Sequence, residues 1–159
     1  MTDQGDTTDL RKLGDPGSSD FQLDAYPFYL LNRTVSRYNT IIEAELRRIG
    51  LDVPTWRVLM ILGEKEPRPI ARVADAAVIN ISTMARIIDR MIAAGLIDAL
   101  PSQNDRRVKE LVLTDQGRDR LAAARRVTAP IYRRLIAGFS AREFQQLQLL
   151  LNRIYANLD

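Results

Sequence analysis

Two short stretches place groups that can grip an anion or a flat polar edge at close spacing. In "NISTMAR", Asn80 to Arg86, two small hydroxyls, Ser82 and Thr83, precede a guanidinium one turn later. Short side chains let a backbone come close to a surface, and the arginine fork offers five donors in a fixed plane. In "SQNDRR", Ser102 to Arg107, an acid stands next to two arginines. Asp105 can hold Arg107 by a charge-assisted hydrogen bond and so aim it in advance, leaving Arg106 free for a phosphate. This is recognition chemistry, without bond-making. Each stretch also has an ordinary reading, since Ser and Thr favour helix starts and charged tips are common on hairpins.

The rest of the composition narrows the field. The chain has 159 residues, enough for one compact domain or a small domain with an oligomerisation element. It contains neither cysteine nor histidine, which removes disulfides, thiol chemistry, Cys/His metal sites and Ser-His-Asp triads. No G-x-G-x-x-G or Walker pattern occurs, and the closest carboxylate pairs, Glu43/Glu45 and Glu64/Glu66, lie two apart and so point to different helix faces. The expectation is a protein that is not an enzyme and needs no cofactor and no metal. The start is acidic and no run approaches the length of a membrane span, so the expected location is the cytoplasm, with no membrane partner. Net charge is +3, but the first 24 residues hold six acids and two bases, which leaves the remainder clearly basic.

Apolar periodicity gives the elements. Leu31, Val35, Tyr38, Ile42, Leu46 and Ile49 recur at steps of three and four, a helix that Gly50 closes. Asp52 caps a second, with Pro54 in its first turn, running through Trp56, Leu59, Met60 and Leu62 to "KEPRP". A short third helix from Pro69 carries Ile70, Val73, Ala74 and Ala77, and Asn80 caps a fourth whose stripe is Met84, Ile87, Ile88 and Met91, ended by Gly95. The period then changes: "LIDALP" and "VKELVLT" read as strands around the turn from Ser102 to Arg107, with Pro101 at an edge. Thr114 caps a long helix bent by Pro130 near Thr128, and Ser140 with Glu143 opens the last one, through Phe144, Leu147, Leu151, Ile154 and Leu158. The class is mainly α with a small β-hairpin.

A short helix, a turn of about four residues and a helix opening on small polar residues is helix-turn-helix spacing, which sends the second helix into a DNA major groove. There Ser82 and Thr83 would approach base edges, and Arg86 a guanine or a phosphate. Such shapes also occur inside ordinary helical cores, so the helix alone leaves both readings open. The hairpin shifts the balance, because a ribbon after a recognition helix carries its tip to the neighbouring minor groove, where an aimed guanidinium is attracted. Asp105, Arg106 and Arg107 are then DNA contacts. The rival is a winged-helix module for protein–protein interaction without specific DNA binding.

From Phe21 to Asp159 the chain resembles the MarR family of bacterial transcription regulators, named for multiple antibiotic resistance. The resemblance rests on "YLLNR", "GLDVPTWRVL", "STMARIIDRMIAAGLI" and "DRRVKELVLTDQG", the last joining an Asp-x-Arg wing signature (Asp105, Arg107) to a Leu-Thr-x-x-Gly helix entry. Two departures stand out: Ala99 and Leu100 fill a place where members often carry a base, and Val78 stands where the turn often has glycine. Residues 1–20, rich in Asp, Gly, Ser and Thr, read as a flexible acidic tail. The resemblance implies a winged helix-turn-helix DNA-binding domain over residues 51–114 and a helical dimerisation region over 21–50 and 115–159. It implies a homodimer on a pseudo-palindromic operator of double-stranded DNA, repressing until a small aromatic carboxylate or aromatic acyl-CoA binds. Arg33, Arg37, Tyr38, Trp56 and Met60 are the expected ligand contacts, although a Trp and a Met at helical spacing equally suit a core.

Overall fold

A computed structural model of the chain describes residues 9–102 and 108–158. The chain divides into two units, residues 1–41 and 42–159. In the first, Asp9 caps a single helical turn, α1 (Leu10–Leu13), accepting the Arg11 N–H at 3.0 Å and pairing with its guanidinium at 2.8 Å. The Arg11 guanidinium and then its N–H hold the Asp9 carboxyl down at about 2. The Gln22 N–H returns to the Leu13 carbonyl at 2.8 Å, and a Cβ on Gly14 would stand 2.5 Å from the Ala25 carbonyl oxygen. Residues 9–20 therefore hold local turns where composition led to the expectation of a tail: caps and turns need no apolar core, which is all that composition reports. Phe21 and Tyr26 meet edge to face at 5.9 Å, and α2 (Pro27–Arg48) begins on a proline, suited to a first turn.

The second unit starts within α2, where Ile42 and Leu46 are buried. Gly50 takes φ +69° to close that helix. Asp52 caps α3 (Val53–Glu64) by accepting the Thr55 N–H at 2.8 Å. After it come α4 (Ile70–Ala77), α5 (Ile81–Ala93), α6 (Asp115–Leu135) and α7 (Ala141–Ala156). Val58, Leu59, Leu62, Val73, Met84, Ile88 and Met91 are all but fully buried and form the core with Ile97 and Leu111 of the sheet. α6 runs unbroken through Pro130, with the Thr128 hydroxyl donating to the Ala124 carbonyl at 2.9 Å.

The hairpin belongs to a three-stranded antiparallel sheet. β2 (Ile97–Pro101) pairs with β3 (Lys109–Leu113) from Ile97↔Leu113 to Pro101↔Lys109, and a third strand, β1 (Arg68–Pro69), adds to the other edge of β3. Two residues carry no alternation, and Pro69 lacks a donor, so β1 is invisible to periodicity and confined to an edge. Glu66 fastens this sheet to its surroundings. Its carboxylate accepts the Leu113 N–H at 2.6 Å and pairs with Arg118 of α6 at 2.5 Å.

The helix-turn-helix turn spans three residues, 78–80, and Val78 takes a left-handed conformation, φ 55° and ψ 48°. A β-branched residue pays for that geometry in strain, and Val78, 88% exposed, recovers nothing by packing. Val78→Gly should release roughly 2 kcal/mol of strain and lose roughly 1 kcal/mol to the freer unfolded chain. The expected net is a stabilisation of about 1 kcal/mol, seen as a higher urea midpoint at unchanged slope; an unchanged or lower midpoint would contradict it.

Candidate nucleic-acid interface

The recognition surface is set by what α5 buries. Met84, Ile87, Ile88 and Met91 all face inward, and at about 100° per residue Ser82 and Arg86 fall on the opposite side, both exposed. Asn80 fixes the start of the helix: its Oδ1 accepts the Thr83 N–H at 2.8 Å and the Ser82 hydroxyl at 2.9 Å. Ser82 thereby spends its proton within the protein and turns outward as an acceptor. Thr83 is exposed as well, but one residue further round, on the flank beside Arg90. Ser82 and Arg86 share a stripe; Thr83 does not.

A connection that sequence reasoning missed holds the far end of α5. The Arg90 guanidinium reaches back to Asp52 at 2.6 Å and to the Thr55 hydroxyl at 3.1 Å, so the residue that caps α3 also anchors the recognition helix. Burial pushes the Asp52 carboxyl up, but the hydroxyl and N–H of Thr55 and the charge of Arg90 together outweigh it and hold the group below its ordinary value. Arg57 of α3 likewise donates to the Ala77 carbonyl at 3.4 Å, at the end of α4. The partners are 38 and 20 residues apart, and no local pattern announces them.

The wing follows directly. β2 and β3 extend outward as far as Pro101 and Lys109, with Leu100, Val108 and Lys109 exposed and Ala99 half-buried. Asp105, Arg106 and Arg107 lie outside the described residues.

A helix presenting a polar stripe, fastened at both ends and followed by a β-ribbon, has the layout of a groove-reading motif. The MarR family model matches residues 51–109. The HTH-type transcriptional repressor IacR of Pseudomonas putida is 35% identical over 145 residues, 91% of this chain and 87% of that one. This chain belongs to the MarR family. The homoprotocatechuate degradative operon repressor of Escherichia coli is 31% identical over 111 residues, 70% of this chain and 75% of that one. The crystal structure of a MarR-family regulator from Silicibacter pomeroyi superposes with a TM-score of 0.79 at 30% identity, covering 87% of this chain and 93% of its own. This MarR-family protein is a winged-helix transcriptional regulator and not an enzyme.

Further cations lie at the start of α4. Lys65, Arg68 and Arg72 border a hollow of about 420 Å³ at the start of α4, the helix that crosses the DNA backbone in this motif. Arg68 is paired with Glu64 at 2.9 Å, whereas Lys65 and Arg72 are exposed and suited to phosphate. Of the expected ligand contacts, Trp56 and Met60 are half-buried on α3; on α2, in the first unit, Arg33 and Arg37 are exposed and Tyr38 is half-buried. The Trp56 indole N–H is itself buried with no acceptor among the described residues, a costly state for a donor.

The depressed Asp52 carboxyl gives stability that is present above about pH 4 and is lost as pH falls through its folded-state pKa. Asn caps a helix as well as Asp does, so Asp52→Asn isolates the pairing with Arg90. The variant should be less stable by about 1 kcal/mol at pH 7, and the gap should narrow as pH falls below about 4; urea unfolding at pH 7 and pH 3 measures it. A gap of equal size at both would place the effect elsewhere.

Proposed function

We propose that this regulator is a homodimeric repressor that holds a pseudo-palindromic operator and releases it when a small aromatic acid, or its acyl-CoA, binds. The outward stripe of Ser82 and Arg86, opposite the buried face of α5, carries the DNA reading. Residues 51–114 form the reading domain, with Asp105, Arg106 and Arg107, in the segment between β2 and β3, as further DNA contacts. Residues 21–50 and 115–159 supply the dimer contacts: α7 buries none of its side chains, and Leu147, Leu150, Leu151, Tyr155 and Leu158 stand in solvent. A stripe of that length calls for a partner surface, and two-fold pairing is the commonest solution. It would set two recognition helices roughly 34 Å apart.

The effector reading is supported by the unsatisfied indole of Trp56, a donor suited to a carboxylate or thioester oxygen, and by the E. coli relative, whose name ties it to the degradation of an aromatic carboxylate. Trp56 is the chain's single tryptophan, so its emission reports on its own surroundings.

Three measurements follow from this reading. On a duplex from the gene's own upstream region, Arg86→Ala should cost about 1 to 3 kcal/mol, with much less lost on random DNA; equal losses on both would make it a phosphate contact. Arg107→Ala should weaken the same complex while sedimentation still shows a dimer, and unchanged affinity at fixed salt would remove the wing tip from the interface. Titration with benzoate, 4-hydroxyphenylacetate and benzoyl-CoA should shift Trp56 emission and release the duplex for at least one of them. Emission and DNA affinity that respond to none of the three would refute the effector class.

A further inference from the structure

The outward stripe of α5 has a third member. Asp89 follows Arg86 by three residues and Ser82 by seven, so it lies on the same side, opposite Met84, Ile87, Ile88 and Met91, and is exposed. It makes no hydrogen bond or ion pair among the described residues, and the cation beside it, Arg90, is committed to Asp52. Folding therefore takes nothing visible from this carboxylate. On a surface that meets a polyanion it also opposes binding, since like charges repel across a screening length of about 10 Å.

Resting on the reading of α5 as the groove helix, we propose that Asp89 selects cytosine: its carboxylate accepts from the N4 amino group of a base next to the pair read by Arg86. The major-groove edges of the four bases support that choice. Guanine offers N7 and O6 and thymine O4, all acceptors that repel a carboxylate; adenine's N6 donor sits beside its N7 acceptor. Cytosine presents a donor with no acceptor beside it. Three residues advance a helix by about 4.5 Å, against about 3.4 Å between stacked bases, so Arg86 and Asp89 meet neighbouring pairs. The repulsion from phosphate then has a use: it weakens binding to every duplex, and only the right base offsets it.

Base identity tests this, because a merely structural role for Asp89 would not change which base is chosen. Full-length wild type, Asp89→Asn and Asp89→Ala each select from a randomised 30-base-pair duplex library at fixed salt, with unfolding midpoints measured alongside. The wild type should fix one cytosine in each half-site, preferred roughly tenfold or more. Asp89→Asn should change that position to adenine, whose N6 and N7 suit an amide, and Asp89→Ala should leave it open. Both variants should bind random duplex about threefold more tightly, the repulsion being gone, with unfolding midpoints unchanged. Variants that select the wild-type base at every position would overturn the role of Asp89 and leave Ser82 and Arg86 as readers. A wild type that enriches no motif would overturn the groove reading and this inference together.

Discussion

The rotation of α5 about its own axis governs what this protein can recognise, and packing fixes that rotation. Met84, Ile88 and Met91 are essentially out of solvent and Ile87 nearly so. Burying such side chains is worth roughly 1.5 to 3 kcal/mol each. Turning the helix by one residue would lift part of that set into water and press Ser82 or Arg86 toward the core, a cost far above any single surface contact. The two ends are then pinned in translation. Asn80 holds the first turn through Thr83 and Ser82, and Arg90 ties the last turns to Asp52 and Thr55. A reader held in this way spends little on ordering when DNA arrives, so its polar contacts express themselves as selectivity.

Part of the charge, by contrast, is occupied. Arg47 and Arg48 pair with Glu43 and Glu45, Arg68 with Glu64, Arg118 with Glu66 and Arg90 with Asp52, while Arg120 donates to the Ile49 carbonyl at 3.0 Å. The two closely spaced glutamate pairs, which would be the natural place to look for acid–base chemistry, are thus fully engaged in holding helices and the base of the wing. Exposed pairs of this kind contribute little to stability, but they decide which cations stay outward. The basic excess of the folded part matters through that remainder, including Arg86 and Arg72, more than through its total.

The elements were legible where the signal was local. Asp52, Asn80, Thr114 and Ser140 each accept the backbone N–H three residues on, and a cap is written into four adjacent residues. The α5 core set was legible because four apolar residues at helical spacing leave one orientation open. Three features were not. The Asp52–Arg90 contact joins α3 to α5 across α4; β1 is too short to have a period; and α1 rests on a cap and turns that composition cannot register. The stripe of α2 was read as one buried face, yet Ile42 and Leu46 are buried while Val35 is 51% exposed. Periodicity reports that a face is apolar, not what covers it. At Val78, a rule about turn chemistry was broken openly: the left-handed position expected of glycine is occupied by valine all the same.

The uncovered apolar surface and the polar stripe answer a single requirement. On the reading proposed above, a stripe of three side chains can specify only a few base pairs, and each wrong pair costs about 1 to 3 kcal/mol. One such helix would therefore be outcompeted by the millions of other sites on a chromosome. Doubling the number of base pairs read, without lengthening the helix, needs a second copy at a fixed distance, and a fixed distance needs a rigid joint. α7, with no buried side chain and leucines along its exposed surface, is unfinished as part of a monomer and suited to such a joint. Under the two-fold pairing proposed above, the joint and the operator become self-complementary at once, and selectivity in the groove would depend on apolar side chains that never approach the DNA.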